Sequence, residues 1–362
     1  MLLFTDSFDD RYNPAGPLYS DITSRVVAKY TSYNIDTFGN LGTATGGRTG
    51  TYALSFGSDY TGPSFYLRKT FSSRTVLIVG CAIKLLNSSS YSNVLFRILD
   101  NGKTQLKVRV NSDQTLSVLN YADTVLGTTS PSNVLTTNYT YVEFKAGINS
   151  ITGMFELKGN GNTWLNGSSL NTVNPSSMNN YATDVDLCWQ LSGNISGPLI
   201  DDYYIADTLG TKNNDFLNAV KVFPSFPMAS GAAHQWIPSG AVVNYQCVKE
   251  LDPDDDHTHV YSSTVGDKDL YVFDPFTPSS GSVKRIIAIQ TNIRARKDEL
   301  GPRQICITYK DGSTFFDGDT IDLNTVYSYS DYQDIQDTDP NTGLDWSISA
   351  INALQAGVKV IG

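Results

Sequence analysis

Between about residue 50 and residue 215 the chain runs as one short apolar or alternating stretch after another, each closed by Gly, Asn, Asp or Pro. Thr75 to Leu86 is an apolar run broken by Gly80 and long enough for a strand buried on both faces. Val94 to Leu99 follows, then Leu106 to Val110, where Leu106, Val108 and Val110 share one face of a strand. Asp100-Asn101-Gly102 between them supplies residues that accept positive φ, so these two strands form a hairpin. Tyr141 to Lys145 alternates again, and Gly153 to Leu157 leads into a second tight turn at Gly159-Asn160-Gly161-Asn162. Strands at this spacing, with no helical period between them, predict an all-β chain with a sandwiched or closed antiparallel architecture.

The residue types agree. Of 36 acidic residues only four are glutamate (Glu143, Glu156, Glu250, Glu299), leaving 36 − 4 = 32 aspartates, and there are 21 tyrosines and 29 glycines. Strong helix formers are scarce while β-branched, aromatic and turn residues abound. A length of 362 residues predicts two domains. The first runs over 1–218 and ends on the strand-like Asp201 to Asp207. A linker over 219–235 contains a connecting strand, Val220 to Phe223, then Pro224, Pro227 and a run of small residues. A smaller β-rich domain over 236–362 holds two strands, Val283 to Arg296 and Arg303 to Lys310, joined across Gly301-Pro302. It also holds one short C-terminal helix over 345–354, capped by Asp345, with Ile348, Ile351 and Leu354 on its apolar stripe and Gly357 as its stop.

A formal net charge of −10 argues against nucleic acid and anionic membrane surfaces as partners. No stretch approaches the ~20 apolar residues of a membrane span, so no membrane insertion is expected. The opening Met1 to Asp6 carries neither a basic segment nor an adequate apolar one, which points to a reducing cytoplasm. Cys81, Cys188, Cys247 and Cys306 stand far apart in apolar or alternating segments and read as buried free thiols.

Three groups of side chains bear on chemistry. Asp252-Pro253-Asp254-Asp255-Asp256-His257-Thr258-His259 is the densest, with Asp254, Asp256, His257 and His259 as candidate metal ligands. An EF-hand loop from Asp252 fails because His257 and Ser263 stand where Gly and Glu are required. His257 and His259 would point the same way on a strand and could share a metal; the alternative is a solvated acidic turn. Asp201 and Asp202 are candidate calcium ligands, or equally aspartates that fix nearby backbone N–H groups. Trp164, beside Asn162 and Asn166, is a candidate platform for a sugar ring, or a plug at the end of the core. Arg294, Arg296, Lys297 and Arg303 read as the exposed face of a hairpin. For catalysis no glutamate has a second one nearby, and the three histidines lack a Gly-x-Ser-x-Gly elbow, so no enzyme is expected. No cofactor is called for, with calcium left open.

The segment Asp6-Ser7-Phe8-Asp9-Asp10-Arg11-Tyr12 resembles the opening of a group of tailed-bacteriophage and prophage structural proteins. The resemblance continues at Gly46 to Gly50, Thr75 to Ile83, Tyr141 to Lys145, Ile200 to Ile205 and Asn214 to Leu217. It reaches Gln235 to Pro238, Asp339 to Trp346 and Gly357 to Val360. Asn218-Ala219 departs from it, standing where that group carries Gly-Asp. The resemblance implies a concanavalin-like (laminin-G-type) jelly-roll β-sandwich at the N-terminal end. It also implies a non-enzymatic virion component on the outside of a head or tail, assembled in the host cytoplasm, with the C-terminal domain attaching it to other virion proteins. Symmetric assembly makes a homo-oligomer the expectation. A host-glycan-binding fibre or spike is the alternative function, and a polysaccharide-degrading enzyme the second alternative.

Overall fold

The structure, a computed structural model, describes residues 1–9, 26–34, 41–48, 52–56, 65–86, 92–189, 197–250, 253–278, 282–323 and 327–362. Asp10-Arg11-Tyr12, Thr49-Gly50 and Asp252, which enter the sequence reading, lie outside these. The chain divides into two compact units, Met1–Phe223 and Pro224–Gly362.

The first unit is built from β1 (Leu2–Asp6), β2 (Ser32–Asn34), β3 (Leu41–Thr45), β4 (Tyr52–Phe56), β5 (Phe65–Arg74), β6 (Val76–Lys84), β7 (Asn93–Asp100) and β8 (Lys103–Val110). It continues with β9 (Leu116–Asn120), β10 (Val125–Thr128), β11 (Thr140–Gly147), β12 (Gly153–Gly159), β13 (Asn162–Leu170), β14 (Ala182–Trp189) and β15 (Leu199–Asp207). They form two antiparallel sheets. The first has the order β13-β12-β11-β6-β15-β4-β3, with β1 also paired to β15; the second has the order β10-β9-β8-β7-β14-β5-β2. The two sheets share one core: Leu77, Val79, Cys81 and Ile83 of β6 and Val142 and Phe144 of β11 meet Phe96 and Ile98 of β7, Leu106 and Val108 of β8 and Val185 and Leu187 of β14. This is the concanavalin-like jelly-roll sandwich.

Alternation along each strand sends its remaining residues outward, and the two outer faces differ. On the second sheet Arg68, Arg97, Lys107 and Arg109 stay half-exposed around the buried Asp186. On the first, Tyr141, Glu143 and Tyr204 lie outside the core cluster yet are buried. What buries them is the irregular segment after β15, whose Leu217 and Asn218 N–H groups donate to the Tyr204 hydroxyl and to Glu143. Val220 to Phe223, expected as a connecting strand, belongs to this segment and forms no ladder.

Two turns explain how local sequence sets the register. Asn101 (φ 46°) and Gly102 (φ 76°) join β7 to β8, and Asn160 (φ 50°) and Gly161 (φ 80°) join β12 to β13. In β15 a bulge places Asp202 at φ 51°, between Asp201 opposite Ala82 and Tyr204 opposite Gly80.

The second unit contains β16 (Pro227–His234), β17 (Ile237–Ser239), β18 (His259–Tyr261), β19 (Lys268–Phe273), β20 (Ile289–Ala295), β21 (Gln304–Asp311), β22 (Thr314–Asp322), β23 (Ser330–Gln336), helix α1 (Ile348–Ala353) and β24 (Gln355–Val360). Its main sheet has the order β16-β19-β24-β21-β22, and β17-β18 and β20-β23 are separate pairs. Three expectations change here. The small-residue run assigned to the linker is strand β16: a Cβ on Gly231 would lie 2.7 Å from Leu270 O, so small residues let this edge strand lie close to its neighbour. Val283 to Arg296 and Arg303 to Lys310 are not a hairpin, because β20 pairs with β23 while β21 pairs with β22 and β24. Helix α1 is shorter than expected and is capped by the Ser347 hydroxyl, which accepts from Ala350 N–H; Gly357 lies within β24. All four cysteines are buried and free.

Candidate functional site

The outer face of the second sheet carries one continuous row of side chains. Leu119, Lys107, Arg97, Asp186, Arg68 and Ser32 stand opposite one another across β9, β8, β7, β14, β5 and β2. Each alternates with inward residues: Lys107 lies between Leu106 and Val108, Asp186 between Val185 and Leu187. Three cations in one row of an acidic chain need an anchor, and Asp186 supplies it. Its carboxylate is fully buried; Arg68 donates from Nε (2.6 Å) and Nη2 (3.0 Å), and Arg97 Nη2 lies 2.8 Å away as an ion pair. The bond to Asp186 raises the Arg68 pKa further. Both guanidiniums also sit over the Tyr66 ring, at 4.8 and 5.1 Å from its centroid. Beneath them the Cys188 thiol is pushed up to about 12 by burial, so it adds no charge.

Arg97 Nε and Nη2 are sealed from solvent and make no hydrogen bond among the described residues, so the outermost cations of the row are the ones open to exchange. Lys107 pairs with Asp123, whose side chain is 73% exposed, so that link costs little to exchange. Arg109 lies on the same face one outward position further along β8, its Nε bonded to Asn111 at 3.0 Å. Neighbouring strands are ~4.8 Å apart, so Lys107 and Arg97 stand one strand spacing apart and Arg97 and Arg68 two, with Asp186 between them.

The residues singled out by sequence lie elsewhere. Trp164 packs its indole against the core, where a Cβ on Gly159 would lie 2.0 Å from Cζ2. Asn166, opposite Glu156, faces outward, so Trp164, Asn162 and Asn166 make no common platform. Asp201 accepts from the Arg48 and Asp202 N–H groups at 2.6 and 2.7 Å. Asp202 takes Arg48 Nη1 (2.6 Å) and Val222 N–H (2.8 Å). The positive charge that calcium would bring is thus supplied by Arg48. Burial, then the neighbouring Asp202, moves the Asp201 pKa up to about 7.

In the second unit Asp254 accepts from Thr258 N–H at 2.8 Å, Asp255 pairs with Arg294, and Asp256 takes Arg296 and Tyr329. The acidic turn therefore neutralises the basic strand β20 and its continuation. β18 begins at His259, so the alternation that would align it with His257 does not extend that far. Among the described residues no group of three or more His, Cys, Asp or Glu side chains is placed to hold a metal.

No protein-family model matches the chain, and no curated protein is detectably similar to it. Its fold is similar to solved structures at low identity. One is the cellulose-induced protein Cip1, with a TM-score of 0.40 and 17% identity over 56% of this chain and 97% of the other. Others are the alginate lyase Aly36B (TM-score 0.37, 10% identity, 56% and 96% covered) and an endo-1,3-β-glucanase from Streptomyces sioyaensis (0.36, 11%, 57% and 95%). None of these is a virion protein. The expectation of a virion structural component is therefore corrected, since the structural likenesses found are to proteins named for cellulose, alginate and β-glucan. The likeness extends to the fold alone.

Proposed function

We propose that the protein is a non-catalytic carbohydrate-binding module for an acidic saccharide, read by the outer face of the second sheet. The observation that carries this reading is the cross-strand row Lys107-Arg97-Asp186-Arg68. Guanidinium groups present planar paired donors that match carboxylates, and a row of them suits a chain of uronates better than a single anion. Asp186 is fully buried and paired with both guanidiniums. The stacked Tyr66 ring keeps both arginines extended across the face.

The test is calorimetric titration of the full chain with oligogalacturonate, with a neutral cello-oligosaccharide as control. Binding to the acidic ligand only is expected, weakening as salt is raised. Lys107→Gln together with Arg109→Gln should weaken it about tenfold, or ~1.4 kcal/mol, at unchanged melting temperature. Equal binding of both ligands, or indifference to the double substitution, would remove the reading.

A further inference from the structure

The first sheet's outer face is occupied in a different way. Glu143 stands at its centre, fully buried, with Oε1 accepting from the Tyr204 hydroxyl (2.6 Å) and Asn218 N–H (2.9 Å). Among the described residues Oε2 meets no donor. Asp215 pairs with Lys145, and the Phe216 ring lies beneath the ammonium groups of Lys145 and Lys158, 4.5 and 4.1 Å from its centroid. Arg48 Nη1 holds Val220 O at 2.7 Å.

These contacts are of the kind by which a surface holds a peptide. Backbone N–H groups meet a buried carboxylate and a phenol, an acidic side chain meets a lysine, and an aromatic ring fills a cationic slot. The side chains of the segment stay largely outside the core, since Asp215 is 68% exposed and Phe216 and Leu217 are only half-buried, while its N–H groups reach the buried Tyr204, Glu143 and Asp202. Ion pairs so exposed are worth about 0–1 kcal/mol each. The cover also leaves one carboxylate oxygen dry and unpaired, an unfavourable term that uncovering would relieve. The face is thus formed by paired strands, while its occupant is held by backbone hydrogen bonds and exposed ion pairs without a ladder of its own.

We propose that the outer face of the first sheet is a peptide-recognition surface that residues 212–222 occupy in cis, and that its ligand in trans is the same segment of a second copy of this chain. Asp215-Phe216-Leu217-Asn218 is the occupant already seen on the face, so an identical segment fits it without new contacts. Such exchange of equivalent segments is a low-cost route to a dimer. In the resting chain the tethered segment holds the site at an effective concentration on the order of millimolar, so exchange requires its release.

The test uses the full chain carrying Asp215→Lys and Phe216→Ser, titrated with a labelled synthetic peptide of residues 211–223 and followed by fluorescence anisotropy. Saturable binding at least tenfold tighter than to the unaltered chain is expected, and its loss when Lys145→Gln and Lys158→Gln are added. No saturable binding by a folded variant, or binding unaffected by the lysine substitutions, overturns the proposal. Should the variant not fold, hydrogen exchange on the unaltered chain decides. The Leu217 and Asn218 amides should exchange by local opening far faster than those of β6 and β11; exchange together with those strands overturns it.

Discussion

Two buried carboxyls of the first unit make its stability depend on pH in an unusual direction. Burial raises Glu143, against the Tyr204 hydroxyl and Asn218 N–H, and raises Asp201 to about 7. A group raised on folding contributes stability that is fully present below its unfolded-state value, ~4 for these acids, and lost as pH rises through the folded value. Urea midpoints measured at about pH 5 and about pH 8.5 should therefore be lower at the higher pH. Asp201→Asn, which keeps an acceptor for one of the two N–H donors, should flatten the difference, and an unchanged slope would contradict the assignment. Gly80 makes a second prediction at this scale. A Cβ there would lie 2.3 Å from Tyr204 Cε1, so Gly80→Ala should cost about 1–3 kcal/mol, visible as a lower melting temperature. Sequence reading recovered the buried cysteines but missed Glu143 and the arginine row. An Arg on a strand reads as a solvated face, and its pairing with Asp186, 89 and 118 positions from Arg97 and Arg68, comes only from the fold. One signal was present: Glu143 lies in the alternating strand Tyr141 to Lys145 of a chain with only four glutamates.

At the scale of elements, the readable features were those closed by local chemistry. The hairpin β7–β8 and the turn between β12 and β13 were legible because Asn-Gly pairs accept positive φ wherever they stand. Strand β16 was not, since Gly231, Ala232 and Ala233 look like linker until a neighbour is near enough to require small residues. The pairing of β20 with β23 rather than with β21 is a long-range choice with no local signal. Helix α1 was found, but its cap was misplaced by two residues because Asp345 and Ser347 are both able caps. Ser347→Ala should cost about 1 kcal/mol, whereas Asp345→Ala should leave the cap intact. Thermal melts of the two variants separate these outcomes. Asp186 ties three strands through two arginines, and Asp186→Ala would leave both guanidiniums facing one another without their carboxylate. The loss should be about 3 kcal/mol, the low end for a broken buried pair, because both arginines are partly in water. Chemical denaturation of this variant against the unaltered chain measures it.

At the scale of the whole molecule, the two units are unequal in what holds them together. Among the described residues the core of the first reaches from Phe4 to Ile205, and its members all lie within Met1–Phe223. The second has smaller clusters around Ile307, Tyr309 and Trp346 and around Ile305, Leu323 and Val358, and many residues of β20, β22 and β23 remain half-exposed. A sandwich whose two sheets, core and cationic row all lie within one unit should not need the other unit to fold or to bind. Residues 1–223 produced alone should therefore unfold in one cooperative transition and bind oligogalacturonate with the affinity of the full chain. Residues 224–362 should bind none of it, and with less apolar surface removed from water they should unfold at a lower denaturant concentration. Calorimetry on the two fragments and the full chain makes the comparison. If the first fragment folds but has lost the ligand, the row on the second sheet is not the whole site. If it fails to fold, the division of the chain at Phe223 and Pro224 is not a division of stability, because its core then depends on residues beyond its own sheets.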